Sequence, residues 1–162
     1  MPENPALQIF KPNIEETAQR WQAYYAGEII DRPVVCVTAP REGRTLPRPI
    51  TYQDKAFGDL DAVVEKELAI AEATFWGGEA APSFYPSIGP DEIAVFCGAE
   101  LRWSTDSPDT NWSLPCVEDW EKALPLHLDS EHPLWLRQRT PFMELASRYL
   151  VDMSRRQAAL TH

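Results

Sequence analysis

At 162 residues, with 44% hydrophobic and 10% aromatic side chains, the chain has the size of one folded domain and is too apolar to remain disordered. Its net charge of −10, with 15 Lys and Arg scattered and no basic run, excludes a nucleic-acid footprint, and its acidic surface opposes anionic membranes. Three widely spaced cysteines, Cys36, Cys97 and Cys116, suit a reducing cytoplasm better than a disulfide framework.

The opening "MPENPALQIFKPN" has neither the basic start nor the apolar centre of a signal peptide, and no apolar run reaches membrane-span length. A cytoplasmic location is expected. Asn13, with Glu16 three residues on, predicts a capping box and a helix start. Ile14, Ala18, Trp21 and Tyr25 then fall on one helical face, expected to bury a large aromatic edge, and Gly27 is the stop. Val34 to Ala39 is a near-continuous apolar, β-branched run ended by Pro40, the pattern of a strand buried on both faces of a parallel sheet. The polar, proline-rich segment from Arg41 to Lys55 reads as a long loop at that strand's C-terminal end, where α/β folds gather ligands.

Leu60, Val63, Val64, Glu67, Leu68 and Ala71 mark a helix over roughly 59–73. The glycine- and proline-rich stretch from Phe75 to Ile93 follows, with a short strand expected in Pro82–Ser87. Gly89-Pro90 starts a helix with Pro90 at its first position and Asp91 and Glu92 in its first turn, ended by Gly98. A strand is expected in "AELRWS" and an irregular segment in "TDSPDTNWSLPCVEDW", with Glu118-Asp119 beginning a short helix. Asp129 or Ser130 caps a long helix over about 131–148, in which Pro141 is awkward, and "RYLVDM" begins a further strand. Alternating helices and strands predict a parallel α/β protein.

The histidines, His127, His132 and His162, stand at no ligand spacing with a cysteine, so no metal site is predicted. No nucleophile elbow and no glycine-rich phosphate loop occurs. Arg41 and Arg44, three residues apart after the first strand, can clamp a carboxylate or phosphate; the ordinary alternative is two solvated arginines. Asp91 is the candidate acid, against simple complementation of a helix dipole. Trp76, Phe84 and Tyr85 can wall a pocket for a flat ligand, or pack in the core. Glu79 and the Glu118-Asp119 pair are weaker candidates.

"RPVVCVTAPREGR", "FWGGEAAPSFYPSIGPDEIAVFCGAELRW" and "VEDWEKALPLHLDSEHPLW" resemble the N-terminal half of the uroporphyrinogen decarboxylase-like superfamily. That superfamily includes the decarboxylases and the corrinoid-dependent methyltransferases. The resemblance implies part of a (β/α)₈ TIM-type barrel, its N-terminal half, with parallel strands and flanking helices. It places a half-barrel in residues 1–152 and a polar tail in 153–162. In the decarboxylases the segment after the first strand reads Arg-Gln-Ala-Gly-Arg and holds substrate carboxylates. Arg41-Glu42-Gly43-Arg44 stands there, one residue shorter. Their essential Asp sits in Phe-Ser-Asp-Ile, and Asp91 is the nearest acid here, outside a clean register. Phe84 and Tyr85 become pocket walls.

The implied substrate is a carboxylated tetrapyrrole or a corrinoid-linked methyl donor, and the decarboxylase route needs no cofactor. Zinc and corrinoid enter only with a methyltransferase-like second half. A whole barrel takes about 250 residues, so this chain is expected to be truncated or a fragment, and inactive alone. Unpaired strand edges would pair with another copy or with a separate C-terminal half. The alternative is a non-catalytic assembly module oligomerising through those edges. A third reading is a carbohydrate-active fragment using Glu79 and Asp91.

Overall fold

The computed structural model describes residue 8, residues 10–83, residues 85–139 and residue 147. These divide into two compact units. The first takes residues 8, 10–49, 65–83 and 147, and the second takes residues 50–64 and 85–139.

In the first unit, helix α1 (Ile14–Tyr25) forms as its periodicity predicts. The expected capping box is absent: Asn13 makes no side-chain cap bond, and Glu16 instead lies 3.6 Å from Arg20. The C-terminus closes as a Schellman motif, with Glu28 N–H donating to the Ala23 carbonyl at 2.8 Å and Gly27 N–H to Tyr24 at 3.0 Å. The buried face of α1 carries Thr17 and Ala23, not the aromatic edge expected from the sequence.

Strand β1 (Cys36–Pro40) is joined by two helices to strand β2 (Thr74–Gly78). The first is α2 (Tyr52–Phe57), inside the segment expected to be loop. It begins with a capping box at Thr51 and Asp54, each side chain bonding the other's backbone N–H at 3.0 Å. The second is α3 (Leu60–Ala73), close to expectation. It runs into β2 without a loop, and the Thr74 hydroxyl bonds the Ile70 carbonyl at 2.7 Å. Its first residues, 60–64, belong to the second unit and the rest to the first.

The parallel half-barrel is overturned by the strand pairing. β1 and β2 are antiparallel, Cys36 opposite Gly78 and Pro40 opposite Thr74, and each has one neighbour among the described residues. Val37 is 48% exposed, so β1 is not a strand buried on both faces. A two-stranded ribbon supplies no flanking strands to bury it. Phe10, Ala23, Leu68, Ala71, Ala73 and Ala80 are buried apolar side chains of the same unit.

The second unit holds a short helix α4 (Glu92–Phe96) and an antiparallel pair, β3 (Leu101–Trp103) and β4 (Asn111–Ser113). β3 falls where a strand is expected, whereas β4 lies in the segment read as irregular. Pro90 precedes α4 and Asp91 is its N-cap, so the proline does not take the first helical position. Asp119 caps the short helix α5 (Trp120–Ala123), as the Glu118-Asp119 pair suggested. The last described helix is α6 (Pro133–Arg139). Of the expected helix over 131–148, Ser147 is helical as well, while residues 140–146 and 148, with "RYLVDM" and the tail, lie outside the described residues, as does Phe84 within Pro82–Ser87, whose described residues form no strand.

Phe96, Val95 and Ile88 are among its most buried side chains, and the Phe96 ring meets Trp135 edge-on at 5.3 Å. Arg137 donates to the Lys55 carbonyl at 2.7 Å and to the Gly58 carbonyl, closing the end of α2. No helix among the described residues is long and apolar enough to cross a membrane.

Candidate functional site

The first unit is organised around one carboxylate. Glu79 follows β2, and its side chain is 1% exposed. Arg32 donates to both its oxygens in a bidentate fork, at 2.9 Å to Oε2. Val35 N–H donates to Oε2 at 3.0 Å, and Arg20 Nη1 lies 3.5 Å from Oε1. Arg20 in turn forks onto Asp31 with two 2.9 Å bonds. Trp21 Nε1 donates to the Glu79 carbonyl at 3.0 Å. This chain of charges ties α1 and the segment before β1 to the turn after β2.

Burial by itself raises the Glu79 carboxyl, but the Val35 N–H and the Arg32 and Arg20 guanidinium groups outweigh it and hold the group below its ordinary value. Asp31, hydrogen-bonded by Arg20, is held below its ordinary value as well. Glu79 is therefore an ionised structural anchor. With no open face for a sugar ring, it does not suit the paired-carboxylate chemistry considered for it.

Beside this network lies an open hollow of ≈560 Å³, within the range of small-molecule sites. Its walls are Phe10, Lys11, Asn13, Arg32, Arg41 and Phe75 through Gly78. Three cationic side chains thus line one depression in a chain of net charge −10. Lys11 is 3% exposed, and its ammonium donates to the carbonyls of Trp76, at 3.0 Å, and Gly78. No carboxylate lies within ion-pair distance of Lys11 among the described residues. Arg41 continues the β ladder through its N–H to the Ala73 carbonyl at 2.8 Å. Its guanidinium makes one long bond, Nη2 to the Thr74 carbonyl at 3.4 Å, leaving most of its five donors for a ligand.

Arg41 and Trp76, both picked out from sequence, meet in this hollow. Arg44 closes a turn through its N–H to the Arg41 carbonyl at 2.9 Å, but its exposed side chain is not among the lining residues. Sequence reasoning missed Lys11 and Arg32. The only signal for either is a basic residue flanking a predicted element, and burial is a tertiary property. No family model, curated protein or solved structure matches this chain.

Tyr85 and Asp91 belong to the second unit. Tyr85 is exposed, and its carbonyl accepts from Lys55 Nζ at 3.0 Å. Asp91 Oδ2 accepts from Ser113 N–H at 2.7 Å and from Ser113 Oγ at 3.2 Å, fastening β4 to the start of α4. Glu92 is similarly engaged, accepting from Ile88 N–H at 3.1 Å and Gln138 Nε2 at 2.9 Å. Phe84 lies outside the described residues. No group of three or more His, Cys, Asp or Glu among the described residues is placed to hold a metal ion, so zinc finds no ligand set there.

Proposed function

We propose that the first unit binds a small carboxylate-bearing molecule in the hollow lined by Lys11 and Arg41. One observation carries this reading: the Lys11 ammonium is buried at the wall with two backbone carbonyls and no counter-charge among the described residues. An unpaired buried charge costs several kcal/mol, of order 3–5 when a partner is missing, and an anionic ligand offsets part of that cost. Arg41 supplies the planar fork that fits a carboxylate, and the exposed Phe75 and half-buried Trp76 offer apolar walls for a ring. A carboxylated tetrapyrrole suits these features, and it is the substrate class implied by the sequence resemblance. The expected activity is binding without turnover, since Glu79 is committed to its arginines. Asp91, in the second unit, does not enter this reading.

Titration of tryptophan fluorescence with coproporphyrin tests it. Arg41→Ala is expected to weaken binding by about tenfold, the loss of one charge-assisted hydrogen-bonding group of about 1.5 kcal/mol. Arg44→Ala should leave it unchanged. Equal binding of the tetramethyl ester, which has no free carboxylate, would sink the reading.

The open ribbon favours a second reading, association through the edge of β1 that has no strand neighbour among the described residues. Val35 and Val37 are half-exposed beside that edge. Sedimentation should then show an oligomer that Val37→Lys dissociates, whereas a monomer across the concentration range argues against it.

A further inference from the structure

We propose that the hollow along α1 binds a small, neutral, flat molecule that carries one hydroxyl or amide group. The hollow has a volume of ≈470 Å³, within the range of small-molecule sites. Ile14, Ala18, Trp21 and Tyr25 of α1, together with Ala81, give it an apolar lining. It shares no lining residue with the cationic hollow of Lys11 and Arg41, so it is a separate site from the one proposed above.

Its polar groups choose the ligand. They are Thr17 and Gln22, and no described lining residue is charged. Thr17 is 1% exposed, and its hydroxyl makes no hydrogen bond among the described residues. A helical threonine can bond back to the carbonyl one turn earlier, but here the Asn13 carbonyl takes the Thr17 N–H, at 3.1 Å, and not the hydroxyl. A buried hydroxyl without a partner costs stability. A ligand hydroxyl or amide seated against Thr17 supplies that partner. Gln22, which is exposed, adds an amide that both donates and accepts. An ionised ligand would lose water here and meet no opposite charge on the lining, so the neutral form is favoured.

The aromatic side chains call for a flat molecule. Trp21 Nε1 is fixed to the Glu79 carbonyl at 3.0 Å, which holds the indole in place. Tyr25 stacks beside it, with ring centroids 5.7 Å apart and 25° between the planes, and is 80% exposed. A further ring can join such a pair by stacking or edge-on. It would cover the aromatic edge that the period of α1 predicts to be buried and that the described residues leave open.

Equilibrium dialysis of the full chain against 1-naphthol, naphthalene and 1-naphthoate tests the proposal. 1-Naphthol should bind. Naphthalene, which lacks the hydroxyl, and 1-naphthoate, which is ionised, should each bind about tenfold more weakly or worse. Thr17→Val removes the hydroxyl and nearly keeps the shape. It should lower 1-naphthol to the affinity of naphthalene and leave naphthalene unchanged. The free variant should unfold at no lower temperature than the wild type, since the hydroxyl it loses had no partner. Ala18→Phe, with wild-type circular dichroism, should fill the hollow and abolish binding. Absence of 1-naphthol binding, equal binding of naphthalene or 1-naphthoate, or wild-type affinity in either variant would overturn the proposal. So would displacement of 1-naphthol by coproporphyrin, which would place both ligands in one hollow.

Discussion

Glu79→Ala is expected to destabilise the protein by about 1–3 kcal/mol, the cost of leaving hydrogen-bonding partners without their acceptor, with the mostly buried Arg20 weighing more than the half-exposed Arg32. The loss exceeds the value of any one bond, because Arg32, the Val35 N–H and Arg20 all lose their acceptor together. Replacing both ends with apolar groups, as in Glu79→Met with Arg32→Met, should cost less than the single variant, since Arg20 keeps Asp31. Urea unfolding followed by tryptophan fluorescence measures both. The same network sets the acid limit. Glu79 and Asp31 are held below their ordinary values, so in acid the unfolded chain binds more protons than the folded one. The stability they contribute is fully present above the unfolded carboxyl values, about 4. It is lost as pH falls through the lower folded values. Glu79→Ala should flatten that acid limb without abolishing it, because Asp31 remains. A variant that unfolds at the wild-type urea concentration, or an acid limb as steep as the wild type's, would falsify this account.

What sequence disclosed and what it hid divide along a physical line. Helices α1 and α3 were legible because a 3.6-residue period is a local property, and Gly27 marked its own stop. The α2 capping box was also visible as Thr51-x-x-Asp54, but the prolines around it drew the segment toward loop. β1 was found within two residues, yet its environment was misread. An apolar β-branched run records that the residues favour extended backbone, not how many neighbours the strand will have. Its partner β2 was hidden by Gly77 and Gly78, which weaken any strand signal. The same limit applies at the hollow. Arg41 was identified because it follows a strand, but nothing around Lys11 in the sequence foretells a buried ammonium. The burial comes from the carbonyls of Trp76 and Gly78, more than sixty residues away.

Gly78→Ala is expected to be the most damaging single-methyl change in the first unit, and a comparison with Gly27→Ala isolates the reason. Both glycines have a left-handed backbone, φ 76° at Gly27 and φ 58° at Gly78. Placing alanine there costs about 1–2 kcal/mol in strain. At Gly27 an added Cβ meets nothing within 4 Å, so strain is the whole effect. At Gly78 the Cβ would stand 2.0 Å from the Val35 carbonyl oxygen. That oxygen cannot swing aside, because it accepts the Glu79 N–H at 2.8 Å, and Val35 N–H holds the Glu79 carboxylate. The backbone must shift, bringing the total to about 3–5 kcal/mol. The shift also moves the Gly78 carbonyl that receives Lys11, so anion binding in the hollow should fall along with stability. Gly27→Ala, at the far end of α1 from Lys11, should leave binding intact. Thermal unfolding and coproporphyrin titration of the two variants separate these effects. Equal losses of stability at both positions would show that the Val35 contact carries no weight.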